Sequence, residues 1–132
     1  MPQALVKNFD VDAATILATT SEIVEAPFDG VVTAVTYTAN AAVTGAASPA
    51  SRTLSVINKG QSGVGTTVVA SLALLSGVNL VAFDEKALTK SATAADLVVT
   101  AGDILEFHSA PVGGTGLVDP GGSGSIRFER NN

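Results

Sequence analysis

Gly30-Val31-Val32-Thr33-Ala34-Val35-Thr36-Tyr37-Thr38 decides the fold class. Side chains of an extended chain point alternately to two faces, which puts Val31, Thr33, Val35 and Tyr37 on one side and Val32, Ala34 and Thr36 on the other. Both sides are mostly apolar, so the stretch reads as a central strand. Asp29-Gly30 ahead of it supplies turn chemistry, because Gly accepts positive φ and Asp bonds to nearby backbone amides.

Two further stretches repeat the period of two. In Arg52-Thr53-Leu54-Ser55-Val56-Ile57-Asn58 the period sets Leu54 and Val56 inward with Thr53 and Ser55 outward, and Asn58-Lys59-Gly60 is a turn signal. Ser125-Ile126-Arg127-Phe128-Glu129-Arg130 alternates Ile126 and Phe128 against Arg127 and Glu129, as a closing strand with one wet face does. Weaker strands are expected at 14–19, 22–26, 66–74, 97–100 and 104–108, with Ala101-Gly102-Asp103 turning between the last two. Phe83 to Leu88 is expected to form one helical turn, and little helix is expected elsewhere. Short strands with Gly-rich or polar turns and no alternating helices predict an all-β chain. The expected architecture is a single antiparallel β-sandwich of jelly-roll or Greek-key type. Its core is expected to hold Val32, Val35, Tyr37, Leu54, Val56, Val68, Leu72, Leu97, Val99, Leu105, Phe107, Ile126 and Phe128.

At 132 residues the chain is one domain's worth. Residues 1–12 precede the regular pattern and are expected to add an extended N-terminal arm to the sandwich, with a frayed terminus or an added edge strand as the alternative reading; 13–132 are expected to form the sandwich domain. Ala39 to Ser51 is long, small-residued and almost uncharged, and Gly113 to Gly124 holds six glycines around Leu117-Val118-Asp119-Pro120. Loops of this length are usually functional or disordered. The lack of charge in the Ala-rich loop favours burial against a partner or a sister subunit, with an ordinary surface loop as the alternative.

Composition excludes several functions. Cysteine is absent, which removes disulfides, thiolate metal sites and thiol nucleophiles. A net charge of −5, with seven Lys and Arg scattered along the chain, gives no patch for nucleic acid. No apolar run approaches the roughly 20 residues that cross a bilayer. The start, MPQALVKNFDVD, reads as no signal peptide.

Motifs for chemistry fail one by one. Gly60-Gln61-Ser62-Gly63-Val64-Gly65-Thr66-Thr67 is glycine-rich like a phosphate loop but lacks its Lys and joins two strands. Asn58-Lys59 is not followed by the Asp of a guanine-specificity motif. His108, the only histidine, shares a strand face with Glu106 and reads as structural or surface-exposed. Asp10 with Asp12, and Asp84 with Glu85, lack the spaced oxygen ligands of a calcium loop. No Asn-x-Ser/Thr sequon is present, and Tyr37, the sole Tyr or Trp, sits mid-strand rather than on a stacking platform for sugars. No catalytic residue, cofactor, metal or small-molecule substrate is assigned, and no enzymatic activity is expected.

Phe28 to Tyr37, Arg52 to Gly60, Ala101-Gly102-Asp103-Ile104-Leu105 and Gly124 to Phe128 together resemble, over residues 22–130, the small β-sandwich proteins that decorate tailed-bacteriophage heads. The resemblance implies a capsid decoration, or cement, protein. Such a protein is made in the host cytoplasm and sits on the outer surface of the virion, where as a homotrimer it braces neighbouring copies of the major capsid protein. The composition of three segments then motivates partner contacts through the N-terminal segment (Leu5, Val6, Phe9), the Ala-rich loop (Ala46, Ala47, Pro49) and the Gly-rich loop (Leu117, Val118). The alternatives are a head-fibre, tail or baseplate component and, in a different class, a carbohydrate-binding or adhesin module.

Overall fold

The computed structural model describes residues 3–16, 18–112 and 117–130. Its strands are β1 (Ala4–Val11), β2 (Thr20–Glu25), β3 (Gly30–Ala39), β4 (Arg52–Gly60), β5 (Thr67–Ala73), β6 (Glu85–Ala87), β7 (Thr89–Lys90), β8 (Val98–Val99), β9 (Ile104–Pro111) and β10 (Gly122–Arg130), with one 3₁₀ turn at Ala94–Leu97. They form two antiparallel sheets. The first runs β1-β10-β3-β6, with β8 also on β3, and the second runs β2-β9-β4-β5-β7.

The pairings have a simple origin. β4 and β5 form a hairpin, and the two arms leaving it pair again as β3 with β6 and β8, β2 with β9, and β1 with β10. Rolling that long hairpin on itself adds β10 to β3 and β9 to β4. This is a jelly roll, the architecture in which two sheets share one core and few edges stay open. The expected N-terminal arm is corrected: residues 4–11 neither extend away nor fray but pair with β10 along their whole length as the edge strand β1.

β3 is interior to its sheet, as its two apolar sides required. Its inward face is Val32, Val35, Tyr37 and Ala39. The phase changes because Arg127 pairs Ala34 while Phe128 pairs Val32, which leaves Thr33 as an extra residue. A bulge of this kind turns the strand by one position, so Val31 and Val35 no longer share a face. The same event corrects the expected core in β5. Val56 pairs Ala70 and Ile57 pairs Val68, Val69 is the extra residue, and Val69 is buried while Val68 is 45% exposed.

Other expectations change as well. Leu72 and Leu97 pack against the core only partly buried, Leu97 from the 3₁₀ turn. The described part of 14–19 is no strand; Ala14 makes a single bridge to Asp119. Residues 85–87 extend along β3 instead of forming a helical turn, because the unpaired backbone of β3 there outcompetes local helix bonds. Leu88 then crosses from one sheet to the other, buried, with its amide on Val35 O at 2.9 Å.

Phe107 of β9 lies at the centre of the core, with its ring 4.9 Å from Phe9 and 5.4 Å from Tyr37. Phe9 reaches it because β10 has no side chain beneath the ring: Gly124 pairs with both Phe9 and Tyr37, and a Cβ there would overlap the Phe9 ring. Gly124→Ala is therefore expected to lose about 1–3 kcal/mol by overpacking. In a Phe9→Leu background the same change costs less, a coupling that urea denaturation of the double-mutant cycle measures.

The two ends of the sandwich differ. One end carries the short connections at 26–29, 61–66 and 100–103. Asp103 locks it by accepting from Thr100 N (2.9 Å), Asn58 Nδ2 (3.1 Å) and Gln61 Nε2 (3.3 Å), and Asp29 accepts from Ala101 N (2.8 Å). Burial alone would raise the Asp103 pKa, but these donors together hold it below the ordinary carboxylate value. The long loops 12–19, 40–51, 74–84 and 112–121 gather at the opposite end.

Candidate functional site

Strand register brings the four long loops together. Val11, Gly122, Ala39 and the start of β6 finish the first sheet at this end, and Thr20, Pro111, Arg52 and Ala73 finish the second. Loops are where a rigid sandwich places its recognition residues. Two of them, 12–19 and 112–121, are held by a buried polar network.

Arg52 begins β4 in phase with Leu54 and Val56, so its side chain enters the sandwich, where it is fully buried. Its Nε donates to Ser109 Oγ at 2.7 Å, one terminal nitrogen to Leu117 O at 3.0 Å, and the other to Ala18 O at 2.8 Å and Ser109 O at 3.2 Å. One guanidinium thereby ties loops 12–19 and 112–121 to β9. Its charge is met by Asp119, also buried, with Oδ2 3.9 Å from Nε. Asp119 Oδ1 accepts from Tyr37 OH at 2.6 Å and from Gly121 N at 2.9 Å. The Asp119 backbone exchanges two hydrogen bonds with Ala14, at 2.8 and 3.0 Å.

Electrostatics follow from depth. Burial pulls the Arg52 pKa below its ordinary value, with the Asp119 charge opposing. Burial, helped by the hydrogen bond to Asp119 and its negative charge, pushes the Tyr37 hydroxyl far above the ordinary 10.0. In the unfolded chain this group ionises near that ordinary value, so above it the unfolded state binds fewer protons than the native state, and stability falls with rising pH. The expected contribution is about −1.4 kcal/mol per pH unit. Tyr37 is the only tyrosine, so Tyr37→Phe removes this slope; the variant is less stable than wild type at pH 8 and the gap closes above pH 10, as urea midpoints across that range will report.

The other two loops pair with each other. Val43 and Leu80, both buried, exchange backbone bonds of 2.9 Å, Gly45 N donates to Asn79 Oδ1 at 2.9 Å, and Ala46 N donates to Leu74 O at 3.1 Å. Gly45 lies so close to the carbonyl oxygens of Leu75 and Val78 that no Cβ fits. Asn40 N bonds Gly121 O at 2.8 Å, which joins this pair of loops to the Arg52 side.

The resulting platform exposes large apolar side chains among small polar ones. Ile16, Leu75, Val81, Phe83 and Val118 are exposed large hydrophobics there, beside exposed Ala41, Ala42, Ala47 and Pro49. Among the described residues of the four loops, Asp12 and Asp84 are the exposed charges.

The expected contact residues divide into three groups. Ala47, Pro49 and Val118 are exposed on the platform, while Ala46 and Leu117 are partly buried within it. Leu5 and Val6 are exposed at the far end of edge strand β1. Phe9 is 7% exposed and belongs to the core, which takes it off the contact surface. Residues 113–116 of the Gly-rich loop lie outside the described residues.

The discarded motifs have structural roles. Gly60 to Thr67 is the β4–β5 turn, and Asn58 Oδ1 accepts from Gly60 N within it. His108 faces outward between Ser21 and Ser55, and the Glu106 carboxylate takes Ser21 Oγ at 2.8 Å instead of engaging it. Among the described residues no group of three His, Cys, Asp or Glu is placed to hold a metal ion. The Arg52–Asp119–Tyr37 network was missed in the sequence; the signal available was Arg52 standing in the inward phase of its strand.

No protein-family model matches the chain. No curated protein matches it in sequence. Among solved structures it is similar to a chain in "Structure of infectious bursal disease virus Gx strain", with a TM-score of 0.39 and 14% identity over 98% of this chain and 32% of that one. This chain spans about a third of the length of that chain. Function is therefore argued from the loop end itself.

Proposed function

We propose that the protein is a structural component of a tailed-phage virion that binds the outside of the capsid through its loop end and braces neighbouring major capsid subunits as a homotrimer. The observation that carries this reading is the platform: four loops, two tied by the buried Arg52 network and two by backbone bonds, that expose large apolar side chains with Asp12 and Asp84 as the exposed charges. Interface cores are depleted of charge in this way, and an exposed apolar area on an otherwise polar molecule marks an interaction site. A fold alone does not fix function, since jelly rolls serve capsids and lectins alike.

Leu5 and Val6 lie on the free edge of β1, away from the platform, and serve protomer contacts. Ala47, Pro49 and Val118 serve the shell. Three copies multiply a modest shell contact through effective concentration. The test is to size the purified protein by light scattering and image it on undecorated phage shells. A trimer adding density at three-fold positions supports the reading, and a monomer that ignores shells overturns it.

A further inference from the structure

Phe83 stands apart from the rest of the platform. It is 78% exposed, so its ring contributes little to the core. Its φ is 60°, a left-handed conformation that a bulky L residue adopts only when its surroundings impose it. The surroundings are visible: Phe83 N donates to Ala39 O at 2.8 Å, Asp84 N to Val81 O at 3.1 Å, and Leu80 is clamped to Val43. Folding therefore bears a strained backbone to present a ring that packs little, on a base fixed by β3 and loop 40–51. An aromatic side chain held in advance loses little freedom on docking, and such residues dominate interface energetics.

Charge around the ring indicates what receives it. Val81 beside it is 59% exposed, and Asp84 and Glu85 follow directly, both exposed. Glu85 pairs Thr38, Thr38 pairs Ser123, and Ser123 pairs Asp10, so Glu85 and Asp10 lie on one outward row of the first sheet, with exposed Asp12 just beyond. Lys86, the cation next to these groups, is half-buried and belongs to the opposite face of β6, opposite Tyr37.

We infer that Phe83, with Val81, is the anchor of the loop-end interface, and that it enters an apolar pocket on the shell protein whose rim presents Lys or Arg to Asp84, Glu85, Asp10 and Asp12. This rests on the shell-binding reading above. The acidic surround argues against an anionic lipid surface, which attracts basic segments.

The experiment compares wild type, Phe83→Asn and the pair Asp84→Lys with Glu85→Lys for co-sedimentation with undecorated shells of the phage that carries this gene. Thermal melts, sedimentation velocity of the protein alone and flotation with phosphatidylserine vesicles accompany it. Asn tolerates the left-handed region, so Phe83→Asn is expected to raise Tm by a few degrees while weakening shell binding by about 30-fold, the loss of a typical aromatic hot spot. Wild-type binding weakens with added salt, and the Lys pair weakens binding and flattens that dependence. Wild type that ignores shells overturns both this inference and the proposed function. Shell binding unchanged in Phe83→Asn overturns the anchor alone. A Phe83-dependent change in sedimentation or in vesicle flotation also overturns it, by seating the ring on a second copy or on lipid.

Discussion

Arg52→Ala is expected to destabilise the protein by about 3–5 kcal/mol, the cost of leaving a buried charge without its partner. Arg52 and Asp119 are 0% and 2% exposed, so water cannot take over when the guanidinium is removed. Two further losses add to the first: the carbonyls of Ala18 and Leu117 lose their donor, and so does Ser109 Oγ. Replacing both charges, as Arg52→Met with Asp119→Leu, removes the uncompensated charge and recovers part of the stability. Recovery stops short of wild type, because each unmatched buried polar group still costs about 1–3 kcal/mol. Urea denaturation of the two single variants and the double gives the coupling directly. A double variant no better than Arg52→Ala would show that the backbone carbonyls, rather than the ion pair, carry the effect. The loss is also local, since Arg52 connects loops 12–19 and 112–121. Amide exchange at 12–16 and 117–121 is expected to accelerate more than in β3 or β4.

Phe107→Ala is expected to cost a similar amount, about 3–5 kcal/mol, for a different reason. Phe107 is fully buried and is the one ring that touches both other aromatics of the central cluster. Truncating it leaves a cavity between the sheets that Val and Leu neighbours on strands cannot close without moving backbone. Phe9 is one of the two buried side chains by which edge strand β1 grips the core, the other being Val11. The β1 amides are therefore expected to lose protection first, with Phe107→Leu intermediate. A melt of Phe107→Ala within a degree or two of wild type would contradict this account of the core.

The alternation in β4 and β10 was readable because polar residues (Thr53, Ser55, Arg127, Glu129) alternate with apolar ones in each strand. Leu54, Val56, Ile126 and Phe128 point inward as their spacing required. Strands apolar on both sides are less informative, and there the bulges at Thr33 and Val69 set which residues go in. Val68 and Val69 have the same side chain, so nothing local distinguishes the exposed one from the buried one. The platform was half visible: the uncharged Ala-rich loop and the Gly-rich loop were singled out as unusual, but that they adjoin each other and loop 74–84 was not. Phe83 was read as opening a helical turn, and its exposure follows from the pairing of β6 with β3.

By itself the sequence determined the class of structure: short strands, tight turns at Asp29-Gly30 and Ala101-Gly102-Asp103, and one two-sheet core. These follow from period-two patterning and turn stereochemistry, which act over a few residues. Tertiary structure alone decided that Arg52 would meet Asp119, and that four loops far apart in the chain would form one surface. Such contacts depend on which strands pair and in what register, an energy set jointly by distant segments that no single window of residues contains.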